Sequence, residues 1–266
     1  MKIMTWNVNN FNGGSWNPKV NSWGNNDIKE REENASKIFK EVTSIIKGDD
    51  DIAILQEFPY HENYVNGNEE VDWKKYFEDN HEGYRIIAWY YNESDKKFCA
   101  DAKYGITIAV VKKDNKWTLR SLSQHSYNNK KVDYSNRYIE LYNKGMNINL
   151  IGVHPRNAYA LREWLCQDCM KDFSPNMIVG DFNAGNYIKD DRDYEFELNR
   201  GEFLRLTEGF IDVCQGMSTT NYNPPTQVDH ILIQNSKKFI GRIRKRDVFS
   251  SMNYSDHYPL VVDIDS

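Results

Sequence analysis

The 266-residue chain has no apolar run long enough to cross a membrane, no proline-rich linker and no internal repeat. Its longest apolar stretches are short and strand-like, so no helical membrane span is expected. Positive charge is also scarce: 34 Lys and Arg stand against 39 Asp and Glu, a net charge of −5. A protein that holds nucleic acid through its overall field is basic. A polyanionic substrate would have to be met here by local positive groups or a bound cation. Cysteine is sparse as well, at positions 99, 166, 169 and 214. Cys166 and Cys169 form a lone CxxC, but Leu161, Leu165, Cys169 and Phe173 fall on one helical stripe. Small buried hydrophobes in a reducing compartment fit that pattern better than zinc or redox ligands. The N-terminus runs straight into a strand pattern without a secretion signal, which points to a cytoplasmic protein or a secreted one already processed.

What the chain has in quantity is aromatic side chains, 14% of residues with 17 Tyr and 7 Trp. That share suits a β-rich core with an aromatic-lined cleft. The length fits one large core and is short for two, giving a single domain over 1–266. A first strand is predicted at 2–8, followed by a polar, glycine-bearing loop to about 26. Asp27 with Glu30 three residues later reads as a capping box. The helix it opens carries Ala35, Ile38, Phe39, Val42, Ile45 and Ile46 at helical spacing. A short buried strand, 52–55, ends at Gln56-Glu57. Further strands are expected at 84–91, 105–111, 117–122, 137–142 and 147–153, with polar turns between. Helices at 158–173 and 194–206 flank a strand at 177–180, and strands at 228–233, 240–249 and 260–264 close the chain. This order lacks the regular alternation of a doubly wound sheet. It fits a four-layered α/β sandwich, two mostly antiparallel sheets face to face with helices outside.

Polar residues that end apolar strands are projected rigidly into a rim, and several such places occur. They are Thr5-Trp6-Asn7, Leu55-Gln56-Glu57, Gly152-Val153-His154, Gly180-Asp181-Phe182-Asn183, Gln227-Val228-Asp229 and Ser255-Asp256-His257. Hydrolysis of a phosphodiester needs a deprotonated water, neutralised phosphoryl oxygens and a stabilised leaving alkoxide. Carboxylates with an Asn carbonyl suit Mg²⁺ or Mn²⁺, with Ca²⁺ a further candidate. A His polarised by an Asp supplies an acid–base group near neutral pH. Asp181 and Asn183, two apart, would project to one side of an extended chain.

At these residues the chain resembles the endonuclease/exonuclease/phosphatase superfamily, the fold of pancreatic deoxyribonuclease. The matching pieces are Thr-Trp-Asn, Leu-Gln-Glu, Val-His-Pro, Gly-Asp-Phe-Asn, Val-Asp-His-Ile-Leu and Ser-Asp-His-Tyr-Pro-Leu, in the family's order across 5–260. The resemblance implies a metal-dependent phosphodiester hydrolase, deoxyribonuclease-like, with DNA or RNA as substrate. It implies Glu57 as principal metal ligand, helped by Asn7, with Asp256 ligating or orienting a metal from the other side. His257, held by Asp229, would activate water or stabilise phosphoryl charge. Asp181 would position or deprotonate the nucleophile, and Asn183 would hydrogen-bond the phosphate. His154 becomes a phosphate contact or leaving-group acid, and Arg137, on a looser match, a phosphate contact. His230, where inositol-polyphosphate phosphatases usually carry Arg, argues against that subfamily. The net charge keeps a small or lipid phosphoester open as substrate, and a non-catalytic module of the same fold is the third reading.

Each residue taken singly also has an ordinary structural role. Asn7 can cap a turn, and Asp181 with Asn183 can form an Asx turn. His230 alternates with Val228 and Leu232 and reads as a satisfied core or rim histidine, while His61, His81 and His125 read as surface. Phe11, Trp16 and Trp23 either stack on a base or pin their loop to the core. Lys130, Lys131, Tyr127 and Tyr134 read as a solvated hairpin end, and Asp190, Asp191 and Asp193 as solvated surface.

Overall fold

The computed structural model describes residues 1–14, 16–17, 22–23, 28–59, 61–63, 70–88, 105–120, 137–158, 161, 174–185, 194–222, 225–252 and 254–265. Two six-stranded sheets form the body. The first holds, in spatial order, β15 (Ile243–Val248), β16 (Leu260–Ile264), β1 (Lys2–Asn7), β4 (Ile52–Phe58), β8 (Ile106–Lys112) and β7 (Tyr84–Ile87). The second holds β13 (Phe210–Asp212), β14 (Asp229–Gln234), β12 (Met177–Asp181), β11 (Ile148–Val153), β10 (Tyr138–Asn143) and β9 (Trp117–Leu119). One neighbour pair in each sheet is parallel, β1 with β4 and β11 with β12, and the rest are antiparallel. Two short pairs, β2 (Trp16–Asn17) with β3 (Ser22–Trp23) and β5 (His61–Asn63) with β6 (Glu70–Asp72), complete the strands described.

The central strands read as continuous apolar runs because both of their faces are covered. Ile3, Ile52, Ile54 and Ala109 meet Leu150, Met177, Val179 and Ile231 between the sheets. Met4, Trp6, Ala53 and Leu55 point the other way, onto α1 (Ile28–Ile45) and α2 (Trp73–Asn80). The apolar stripe of α1, Ala35, Ile38, Phe39 and Val42, lies fully buried there. Asp72 caps α2, its carboxylate accepting from Lys75 N at 2.9 Å, one of the free donors of a first turn. On the far face, Ile151, Ile178 and Leu232 pack with Phe203 of α3 (Tyr194–Leu206). Two sheets with helices outside make the four layers that the order of elements predicts.

Several expectations need correction. The segment 240–249 is not one strand: α4 (Lys237–Ile240) precedes β15, and Phe249 lies beyond it. Helix α2 and strand β13 were not expected; at 8 and 3 residues they are too short for a periodicity signal. Phe11 is fully buried and meets Phe39, Phe58 and Trp73 edge-to-face at 5.0–5.5 Å, so it pins its loop and offers no base a platform. His81 is half-buried rather than free on the surface, stacked on Phe77 at 5.0 Å. Most of the predicted helix 158–173 with its CxxC, the side chains of Trp16 and Trp23, Asp27 of the capping box, and the stretches around 125–134 and 190–193 lie outside the described residues. Cys214 is a free, buried thiol, its pKa pushed up to about 12 by burial and by Asp212. No helix among the described residues is long and apolar enough to cross a membrane.

Candidate active site

The C-terminal ends of β1, β4, β11 and β12 and the N-terminal ends of β14 and β16 come together at one end of the sandwich. Asn7 closes β1, and its neighbour on the parallel strand is Gln56. The next residue, Glu57, has φ of +51° and sits in a register shift between Leu55 and Phe58. Leu55 and Phe58 both enter the α1-side core, which an unbroken period of two forbids. The left-handed residue between them turns the carboxylate out of the sheet. Gly105 makes room: a Cβ there would stand 2.5 Å from the Glu57 carbonyl carbon and 2.9 Å from Asn10 Oδ1.

Asn7 Nδ2 donates to Glu57 Oε1 at 3.1 Å and to Asp181 Oδ2 at 2.9 Å, bridging the two sheets. Asn10 Nδ2 donates to the other Glu57 oxygen at 3.3 Å. Asp181 and Asp229 are direct partners in the β12–β14 register, and like charges so placed repel. The His257 imidazole faces both. Its Nδ1 is 2.8 Å from Asp229 Oδ2 and its Nε2 3.9 Å from Asp181 Oδ2. His154 closes the group from β11, its Nε2 3.5 Å from Glu57 Oε1 and 3.7 Å from Asp181 Oδ2. Ser255 Oγ donates to Asn7 O at 2.7 Å and Trp6 Nε1 donates to His257 O at 2.9 Å. These two bonds tie the C-terminal motif to β1. Tyr222 OH donates to Asp256 Oδ2 at 3.1 Å and lies 3.4 Å from His257 Nε2.

Asn7, His154, Asp181, Asp229, Asp256 and His257 are all buried, while Glu57, with 24% of its side chain exposed, opens the group to solvent. Asn183 is not extended as the two-residue spacing predicted. Its φ is +48°, its N–H donates to Asp181 Oδ1 at 2.8 Å in an Asx-type turn, and its amide donates to Pro155 O at 3.0 Å. Arg137 precedes β10 and donates to His154 O at 3.0 Å, supporting the histidine's backbone. His230 faces away, with Nδ1 2.7 Å from Asp212 Oδ2 and Nε2 2.8 Å from Ala184 O, a satisfied core histidine as its alternation implies. Asn10 and Tyr222 belong to the site although nothing in their spacing marks them.

The electrostatics are lopsided. Burial, together with the facing carboxylates of Asp256 and Asp181, raises Glu57 to about 7 against the opposing Asn7 bond. Burial lowers His154 to about 4; Asp181 opposes this, and Arg137 and His257 add to it. Burial also lowers His257, but Asp229, Asp181 and Asp256 outweigh it and hold the imidazole well above its ordinary value. One imidazolium therefore faces Asp181, Asp229 and Asp256 together with a Glu57 that is about half protonated near pH 7. Such an excess of hard oxygen donors fits a divalent cation of the Mg²⁺ or Mn²⁺ kind. Asp181, Asp229 and His257 offer ligand atoms within 4.8 Å of one another. His257 Nδ1 already engages Asp229 and Asn7 Oδ1 already accepts from Asn9 N at 3.0 Å, while the Glu57 carboxylate is the group open to solvent.

No protein-family model matches the sequence, and no curated protein matches it. Solved structures do. The chain is similar to AP endonuclease LMAP from Leishmania major, with a TM-score of 0.60 and 12% identity over 100% of this chain and 87% of that one. It is similar to the 3′ phosphatase NExo from Neisseria bound to a product DNA hairpin, with a TM-score of 0.57 and 17% identity over 100% of both chains. An endonuclease/exonuclease/phosphatase family protein from Leptotrichia buccalis aligns over 100% of both chains with a TM-score of 0.57 and 13% identity. The chain therefore has the endonuclease/exonuclease/phosphatase fold that its six ordered motifs predict.

Proposed function

We propose that the protein is a divalent-metal-dependent phosphodiester hydrolase, deoxyribonuclease-like, in which water attacks phosphorus. One observation carries the reading: His257, held by Asp229, faces Asp181 at 3.9 Å, while Asp181 shares the Asn7 amide with Glu57. An imidazolium set beside carboxylates that can take up a cation supplies the two kinds of positive group that in-line hydrolysis needs. Glu57, Asn7 and Asp256 would hold a cation, which would supply Lewis-acid neutralisation of the phosphoryl oxygens and of the departing alkoxide. Asp181 takes the proton of the attacking water. His257, kept as imidazolium by Asp229, donates to a phosphoryl oxygen and stabilises its growing charge. His154, neutral by its lowered pKa, donates a hydrogen bond to the phosphate rather than a proton to the leaving group. Asn183, whose amide gives one hydrogen to Pro155 O at 3.0 Å, would offer the phosphate the other.

The net charge of −5 favours a second reading, a small or lipid phosphoester as substrate of the same chemistry. One panel tests both: Mg²⁺, Mn²⁺, Ca²⁺ or chelator with plasmid DNA, RNA, bis-p-nitrophenyl phosphate and a phospholipid. Metal-dependent nicking of plasmid is expected. Turnover confined to small or lipid esters selects the second reading, and no turnover with any metal ends both.

A further inference from the structure

Residues 237–249 carry six Lys and Arg and one Asp, a charge of +5, so the other 253 residues carry −5 − 5 = −10. This basic segment is α4, the turn after it and β15, the outer edge of the first sheet. Lys238, Arg242, Arg244, Lys245 and Arg246 are exposed along it. Two of them face carboxylates, Arg244 with Asp265 and Lys245 with Asp247. Lys238 instead donates to Met146 O and Asn147 O, and Arg246 to Val213 O at 2.9 Å. Carbonyls orient these cations without cancelling their charge. Arg242 has no carboxylate partner among the described residues.

Blunting a sheet edge against self-association takes one or two lysines; five exposed cations in nine residues exceed that. The strip also leads toward the candidate active site. Val248 pairs with Leu260 and Arg246 with Val262, and His257 lies three residues before Leu260. At about 3.3 Å per residue, the near end of the strip at Val262 stands at most roughly 17 Å from His257 and its far end, where Arg242 O accepts from Asp265 N, at most roughly 26 Å, about five to eight nucleotides at ~3.4 Å each. The strip offers little that would enter a lipid surface or stack on bases: Phe239 is buried, and the exposed large hydrophobic among the described residues is Leu204, on α3. Cations without apolar anchors match a phosphate backbone rather than a bilayer.

We propose that α4, its following turn and β15 form an exosite for the phosphate backbone of a nucleic-acid strand. It grips without reading sequence while a diester farther along the strand lies at His257. The proposal rests on the phosphodiesterase reading and narrows its substrate to a polymer. It also places the local positive groups that an acidic protein requires for a polyanion.

The test uses the full chain carrying Lys238→Gln, Arg242→Gln and Lys245→Gln together. Binding of a 30-nucleotide single-stranded DNA is measured in chelator, across salt, separately from hydrolysis of bis-p-nitrophenyl phosphate with Mg²⁺. The expected result is an affinity loss of at least about tenfold at 0.1 M salt. The dependence of log K on log salt should flatten by about 2, at ~0.7 per phosphate contact. Small-diester turnover should stay within about twofold, and Lys238→Arg with Lys245→Arg should bind like the parent. Unchanged DNA affinity and salt slope in the triple variant would overturn the exosite while leaving the hydrolase reading intact. So would a parent that cleaves the small diester but binds no DNA, or a variant that dimerises with DNA affinity unchanged, the signature of edge protection alone. Failure of small-diester hydrolysis with every metal would instead remove the catalytic reading, and the binding arm would still decide the exosite.

Discussion

Asp229 and His230 are adjacent on β14, and each belongs to a different histidine–carboxylate pair. Asp229 accepts from His257 at 2.8 Å on the cleft side; His230 meets Asp212 at 2.7 Å on the helix side. The contact lengths are nearly the same. What differs is the second ring nitrogen. His230 Nε2 is sealed by Ala184 O at 2.8 Å, and the ring stacks against Phe203 at 4.5 Å. His257 Nε2 has Asp181 at 3.9 Å and Tyr222 OH at 3.4 Å, neither a strong bond. A pair whose four bonding directions are filled is a structural tie, whereas one left with a poorly satisfied nitrogen toward a cleft has chemistry to offer. Strand pleating, which sends neighbours to opposite faces, makes both from two consecutive residues.

The largest contrast should appear on removing each imidazole. His257→Ala is expected to cut turnover of bis-p-nitrophenyl phosphate per folded molecule by about 10²–10⁴-fold, and to lower the melting temperature as well because Asp229 stays buried without its partner. A loss under tenfold in a folded variant would refute its role. Asp229→Asn should act on the same group through pH. The reaction needs the His257 imidazolium, so activity is present below the His257 pKa and lost as pH rises through it. Burial lowers that pKa and Asp229 raises it more; removing the carboxylate must move the alkaline limb of kcat/KM to lower pH. A limb that stays in place would detach Asp229 from His257.

His230→Ala should spare the chemistry and cost about 1–3 kcal/mol of stability, because Asp212 loses its imidazole and keeps only the Gln227 amide and the Cys214 N–H. Turnover per folded molecule should fall less than tenfold; a larger fall at intact stability would put His230 in the chemistry. Glu57→Gln comes next. The Glu57 pKa is raised from 4.5 to about 7 in the metal-free protein, burial being the first cause. The protonated form is thus favoured by folding, a contribution present below about pH 4.5 and lost as pH rises through about 7. In chelator, the melting temperature of Glu57→Gln should therefore exceed that of the parent by roughly a few degrees above pH 7 and match it at acid pH. Added Mg²⁺ should close the gap by stabilising the parent alone. The smallest effect is expected from Asn10→Gly, which keeps the left-handed backbone and deletes the amide on Glu57 Oε2. Half-saturating Mg²⁺ should rise by up to about tenfold; an unmoved titration would leave Asn10 a loop residue only.

Much of this was legible in the chain. Strand-ending triplets such as Leu55-Gln56-Glu57 and Gly152-Val153-His154 mark a rim because strands end where pairing ends. Other features have no local sign. Asn10 reaches Glu57 only because Asn9, Asn10 and Phe11 all take positive φ, a conformation that tertiary packing of Phe11 enforces. Tyr222 reaches Asp256 and His257 across 34 and 35 residues, with no periodicity to connect them. The Asn183 turn replaced an extended projection because the Asp181 carboxylate captures the Asn183 N–H first.

The sequence by itself determined the layered sandwich and the roster of acids, amides and imidazoles at strand ends. Apolar period and strand termination are properties of short segments, and the order of the motifs carries the rest. The tertiary structure alone decided which imidazole is sealed and which faces Asp181 and Tyr222, and how far burial and neighbouring charges move Glu57, His154 and His257. Those outcomes depend on distances between residues remote in the chain. Electrostatic energies change steeply with such distances and with the water excluded between them.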